Sequence, residues 1–185
     1  MEIIAFTKVN LPYGWLGNMS PHPVIHEGKQ YKTTEALFQC LRFKNHPDIQ
    51  DQIRNKPSPM SAKMVAKSQL HLLNREDKAA ANKEDIEFMK VCLELKLQYH
   101  PDLKHQLIET KNARIVEDCS SRPGGSGKFW GASLVNGKWQ GSNVMGKLWM
   151  NLRNELRRGD YELPALKLDS KKDQAPSLKN LNFET

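Results

Sequence analysis

Gly28-Lys29-Gln30-Tyr31-Lys32-Thr33-Thr34-Glu35-Ala36-Leu37-Phe38-Gln39 joins a glycine turn to a helix start and then to an apolar, aromatic run. Thr33 and Thr34 can both cap that helix, because a threonine oxygen accepts one of the unsatisfied first-turn N–H groups. Glu35 falls in the first turn, where the helix dipole favours a carboxylate. Residue type alone therefore explains Glu35 as a helix charge, and its candidacy for chemistry depends on polar residues elsewhere. The spacing predicts a helix to about Lys44 that buries Leu37, Phe38 and Leu41. Upstream, Val24-Ile25-His26, the Glu27-Gly28 turn and Lys29-Gln30-Tyr31 read as a small hairpin, and Ile3–Phe6 as a short buried strand. Pro12, Gly14, Gly17, Pro21 and Pro23 make the intervening stretch a structured loop.

Downstream the chain reads as helix after helix. Pro47 ends the first helix and starts a short one carrying Ile49 and Ile53. Ser58-Pro59-Met60 is a strong start, with Ser as cap and Pro at the first helical position. Lys63 and Lys67 then fall one turn apart, with Met60, Met64 and Val65 on a separate apolar face. The longest helix begins near Lys83 and repeats Ile86, Met89, Leu93 and Leu97, widened by Phe88, Cys92 and Leu95. Pro101 opens another helix with Leu103, Leu107 and Ile108, and Ala113 to Glu117 reads as a strand. A last helix covers about Asn143 to Arg157, with Met145, Leu148, Leu152 and Leu156 inward. The fold class is mainly α, multihelical, with a small β element near the N-terminus. One domain over residues 1–158 accounts for this pattern. Residues 159–185 lose it and read as a C-terminal extension, flexible or loosely docked through Leu163, Leu166 and Leu168.

The formal charge of +7 favours anionic partners, either nucleic acid or a phosphate-bearing small molecule. Lysines are spread along the chain, so a plain basic surface explains the charge equally well. Cys40, Cys92 and Cys119 are far apart without metal-ligand spacing, which reads as free thiols of a cytoplasmic protein. Pro21 and Pro23 forbid a helix that would pair His22 with His26, so no metal site is expected. No run is apolar enough to span a membrane.

Arg122-Pro123-Gly124-Gly125-Ser126-Gly127-Lys128-Phe129-Trp130-Gly131 resembles a phosphate loop but fails its pattern. Phe129 follows the lysine where Ser or Thr is required, and no glycine stands five residues before Gly127. Successive backbone N–H groups could still cradle an anion beside Arg122 and Lys128, or the segment is a simple turn. Asn143 or Ser142 is placed to cap the last helix, whose N-terminus could then hold a phosphate. Gly146 within that helix suits a close approach by another helix or a ligand. Trp15 and Trp130 either stack on a base or fill the core.

Four blocks in order resemble the NADAR, or YbiA-like, family. They are Gly14-Trp15-Leu16-Gly17-Asn18-Met19-Ser20-Pro21, the run Gly28 to Gln39, the Ser58 to Lys63 helix start, and a closing set. The closing set comprises Val116-Glu117, Trp130-Gly131, Gly141 to Gly146 and Trp149-Met150-Asn151-Leu152-Arg153. The resemblance implies a YbiA-like fold and an N-glycosidase that hydrolyses a ribosyl C–N bond, without a cofactor. It implies two substrate settings: ADP-ribose on guanine bases of nucleic acid, and a phosphoribosylamino-pyrimidine intermediate of riboflavin synthesis. It makes Glu35 the essential glutamate and implies that a lysine forms a Schiff base with the ribose, without fixing which. Lys63 is the candidate, against the plainer reading of an exposed helix lysine. Substrate-binding expectations fall on Trp15, Asn18, Phe38, Gln39, Arg42, Gly127, Trp130, Gly131 and Asn143.

The departures are specific. In Phe38-Gln39-Cys40-Leu41-Arg42-Phe43, Arg42 stands where the family commonly has lysine, and arginine stays protonated and is no amine nucleophile. A family tryptophan is missing after Arg75, and Trp130-Gly131-Ala132-Ser133 replaces a Trp-Gly-x-Gly pattern. The rival reading is a non-catalytic module that binds ADP-ribose, NAD or nucleic acid.

Overall fold

The computed structural model describes residues 2–73, 83–122 and 124–159. The C-terminal extension and the segment after Arg75 lie outside the described residues. No helix among those described is long and apolar enough to cross a membrane.

The central element is α1 (Thr34–Arg42), buried from Thr34 through Cys40. Thr33, not Thr34, is its cap: the Thr33 hydroxyl accepts from the Ala36 N–H. Thr34 instead donates to the Asn18 carbonyl, which also accepts from the Glu35 N–H, so the preceding loop is tied to the first turn. Around α1 sit α2 (Pro47–Arg54), α3 (Pro59–Ser68) and α4 (Lys83–Tyr99). Helix α3 starts with a complete capping box, Ser58 and Ser61 each bonding the other's backbone N–H. Its inward face is Ala62 and Ala66, whose small side chains suit a seat against α1 and α2. Met60 and Met64 are half-exposed, which corrects the expectation of an apolar methionine face.

Helix α5 (Pro101–Glu109) leads into β4 (Arg114–Glu117), which pairs in parallel with β1 (Ile3–Phe6), Phe6 opposite Glu117. Strands β2 (Val24–His26) and β3 (Lys29–Tyr31) form the expected hairpin. A second hairpin, β5 (Ser133–Val135) with β6 (Lys138–Gln140), follows the short α6 (Ser126–Trp130). Helix α7 (Val144–Arg158) closes the core with Met145, Trp149 and Leu152. Leu148 and Leu156, expected inward, are only partly buried, because Trp149 and Arg153 take the interior positions. The Arg153 guanidinium bonds the Thr110 hydroxyl and the Ala113 carbonyl.

Gly146 lets α7 lie against β4. A Cβ there would stand 2.2 Å from the Ile115 carbonyl oxygen and 2.5 Å from the Asn143 amide nitrogen. Gly146→Ala is expected to lower the unfolding free energy by about 3 kcal/mol, the upper end of overpacking costs, read from a shifted urea midpoint at unchanged slope. A midpoint within error of wild type would show that the two elements are free to separate.

Candidate active site

The first turn of α1 and the end of β4 bring two glutamates to one cleft of about 540 Å³. Glu35 is buried; its Oε1 accepts from Gln39 Nε2 at 2.9 Å, one helical turn away. Lys63 Nζ of α3 stands 3.9 Å from the same Oε1, on a side chain 40% exposed. Glu35 therefore has both a neutral donor and a cation beside one carboxylate oxygen.

Glu117 lines the same cleft. Its Oε2 is buried and has no hydrogen-bond partner. Burial pushes its carboxyl up to about 7, and the charge of Glu35 pushes the same way against Lys63 and Arg122.

Gln39 passes the network along α1, its Oε1 accepting from Arg42 NH1 at 3.2 Å. Arg42 Nε donates to buried Asp85 Oδ1 at 3.2 Å, and its guanidinium lies 5.8 Å from the Phe38 ring centre. The arginine that replaces a family lysine is thus anchored on the cleft wall by α4. Phe38 meets Trp130 edge to face at 5.6 Å. Asn18, Gly127, Lys67 and Arg122 line the same cleft.

Of the residues singled out from sequence, Glu35, Lys63, Asn18, Phe38, Gln39, Arg42, Gly127 and Trp130 converge on this cleft. Trp15, Gly131 and Asn143 stand outside its lining. The Trp15 ring packs edge to face on Trp149 at 5.8 Å. Asn143 does not cap α7: its backbone is left-handed (φ 48°), and its side chain makes no cap bond. It braces β4 instead, accepting from the Glu117 N–H at 3.1 Å and donating to the Ile115 carbonyl at 2.8 Å. Gly131 supports the same strand, since a Cβ there would lie 2.4 Å from the Glu117 carbonyl oxygen. Glycine and asparagine at these places shape the strand that carries Glu117. The glycine-rich segment turns into α6, so it is more than a loop, though only five residues are helical.

Sequence reasoning missed Glu117 and Asp85 as site residues, although Val116-Glu117 was visible as a motif. It also missed Lys96, a fully buried lysine behind the site. Among the described residues no cluster of His, Cys, Asp and Glu could hold a metal ion, and all three cysteines are buried free thiols.

The sequence model of the NADAR domain matches residues 5–157, most of the chain. The chain belongs to the NADAR family. Its curated relatives include the N-glycosidase YbiA of Shigella boydii, 29% identical over 156 residues, 83% of this chain and 88% of the relative. YbiA of Escherichia coli K12 is 29% identical over 154 residues, with the same coverage. An N-glycosidase of Nostoc punctiforme is 26% identical over 156 residues, 83% of this chain and 92% of the relative. The NMR structure of E. coli YbiA matches with a TM-score of 0.66 at 26% identity, covering 90% of this chain and 91% of that one. In this NADAR domain the two glutamates and Lys63 sit in the cleft that α1, α3 and β4 enclose.

Proposed function

We propose that this protein is an N-glycosidase that hydrolyses the bond between a phosphorylated ribose and a base nitrogen. The observation that carries the reading is Glu35, buried in the cleft with Lys63 3.9 Å away and a second glutamate in the same lining. Two of its substrate settings are ADP-ribose on guanine bases of nucleic acid and a phosphoribosylamino-pyrimidine. Both present a phosphorylated ribosyl group and a flat base. Phe38 and Trp130 offer aromatic surface to the base, and Lys67, Arg122 and the backbone at Gly127 offer charge and N–H groups to phosphate.

Breaking a ribosyl C–N bond builds positive charge at C1′. Glu35 takes a proton from the Lys63 ammonium, and the lysine nitrogen then carries that charge as an iminium. The freed amine adds to C1′ of the opened sugar, the base nitrogen departs with a proton, and water hydrolyses the resulting imine. Binding without turnover is what the rival module predicts.

Borohydride trapping tests the reading. Wild type mixed with guanine-ADP-ribosylated DNA or a phosphoribosylamino-uracil is expected to release free base and carry a reduced ribosyl adduct on Lys63. Lys63→Arg is expected to carry none and to turn over at least 100-fold more slowly. Base release without an adduct would remove the covalent role of Lys63. Neither release nor adduct would remove the glycosidase.

A further inference from the structure

We propose that Glu117 is the acid that protonates the departing base nitrogen in the cleft it shares with Glu35. This assignment rests on the glycosidase reading and adds to it the proton that the leaving group needs. Two carboxylates in one cleft do not both ionise easily, so their partners decide which keeps its proton. Glu35 has a lysine at 3.9 Å and an amide donor at 2.9 Å. Glu117 Oε2 is buried with no partner, a costly arrangement for a carboxylate and an ordinary one for a carboxyl awaiting an acceptor.

The strand end that carries it is fixed at both backbone groups. Its N–H donates to Asn143 Oδ1, and its carbonyl accepts from the Ala132 N–H at 2.9 Å. Gly131 leaves that carbonyl the room it occupies, so three elements together fix the backbone that carries one carboxyl.

The step balances as follows. As the C1′–N bond breaks, its electron pair stays on the nitrogen, and the Glu117 proton forms the new N–H bond. Lys63 is left as an iminium on C1′, and water converts it to the free aldehyde and the lysine ammonium. Glu35 still holds the proton it took from Lys63. That proton returns to Glu117 through cleft water, and one water has been consumed for one bond cleaved.

The test compares leaving groups. Ribosylamine 5-phosphates of an aminopyrimidine and of p-nitroaniline open the sugar alike, but the electron-poor aniline departs with far less need of a proton. Glu117→Gln is expected to lose about 100-fold in kcat/KM on the aminopyrimidine and under tenfold on the nitroaniline. Wild type needs no variant to show the same thing. Its kcat/KM for the aminopyrimidine is expected to fall as pH rises through about 7 and to stay flat for the nitroaniline. The charged groups facing Glu117 are Glu35, Lys63 and Arg122; a Glu35→Gln control should slow both substrates equally. Equal losses on both substrates, or none, in Glu117→Gln, with the same pH limb for both, would overturn the assignment and leave the glycosidase standing. Wild type inert to both compounds and to ADP-ribosylated DNA would overturn the glycosidase reading and this assignment with it.

Discussion

Glu35→Gln is expected to lower turnover by about a thousandfold while leaving ligand affinity within a few-fold of wild type. The size follows from the role: a positioned acid–base group is worth about 10² to 10⁴ in rate. The substituted amide keeps an oxygen for Gln39 Nε2 and keeps its volume inside a helix turn that is otherwise fully packed. What it loses is the acceptor for the Lys63 proton. That acceptor matters to the transition state and not to the bound substrate, so kcat should fall and binding should not. Single-turnover rates and ADP-ribose titration calorimetry read the two quantities separately. A parallel loss of affinity would instead make Glu35 a binding group.

Lys96→Met is expected to cost about 2–4 kcal/mol of stability near neutral pH, because it removes the buried donor that ties α4 to three oxygens of the preceding loop. Lys96 is fully buried on α4, and its Nζ bonds the Trp15 carbonyl, the Gly17 carbonyl at 2.9 Å and Ser20 Oγ at 2.6 Å. Those oxygens belong to the loop whose Asn18 carbonyl accepts from the Glu35 N–H, so the loss should reach the site. Methionine keeps the packing of the stem and leaves the Trp15 and Gly17 carbonyls with only their bonds from Ser20.

Burial pulls the Lys96 ammonium down to about 7 from an ordinary 10.5. Between those values the unfolded chain binds the proton and the folded one does not, so stability rises with pH. The rise should be about 2 kcal/mol from pH 7 to 8.5, at 1.36 kcal/mol per unit. The neighbouring His22 is lowered to about 4 and the thiols of Cys40, Cys92 and Cys119 are raised above their ordinary 9, while Glu117, raised to about 7, offsets a little of the rise near pH 7. Urea titrations of wild type and variant across this range should differ by the Lys96 slope. A slope shared by both would assign it elsewhere.

The elements that sequence exposed are those whose causes are local. Thr33 and Ser58 cap helices because the chain around each supplies the N–H groups they accept from, and both starts are readable in one turn of sequence. The stripe of α4 was readable as hydrophobic, but Asp85 and Lys96 fall on the same face as Met89 and Cys92. Charged residues break an apolar period on paper, whereas here long-range partners, Arg42 and the 15–20 loop, satisfy them. The hairpin of β5 and β6 had its signal in Asn136-Gly137, both at positive φ as a tight two-residue turn requires.

Glu117 and Asn143 were hidden for another reason. A glutamate ending a strand looks like a solvent charge, and an asparagine before a helix looks like a cap. Only the parallel pairing of β1 with β4, more than 100 residues apart, and the brace from α7 turn them to other work. The cleft itself was half legible, since residues quoted from α1 and α3 do meet there, while Trp15 serves the core beside Trp149.

The most direct measurement is mass-spectrometric product analysis of wild type and Glu35→Gln side by side on guanine-ADP-ribosylated DNA and a phosphoribosylamino-uracil. The account predicts free base and an intact phosphorylated ribose from at least one substrate with wild type, and neither product with Glu35→Gln. Both substrates bound and returned unchanged by wild type would contradict it and leave a module that recognises ADP-ribose without cleaving it.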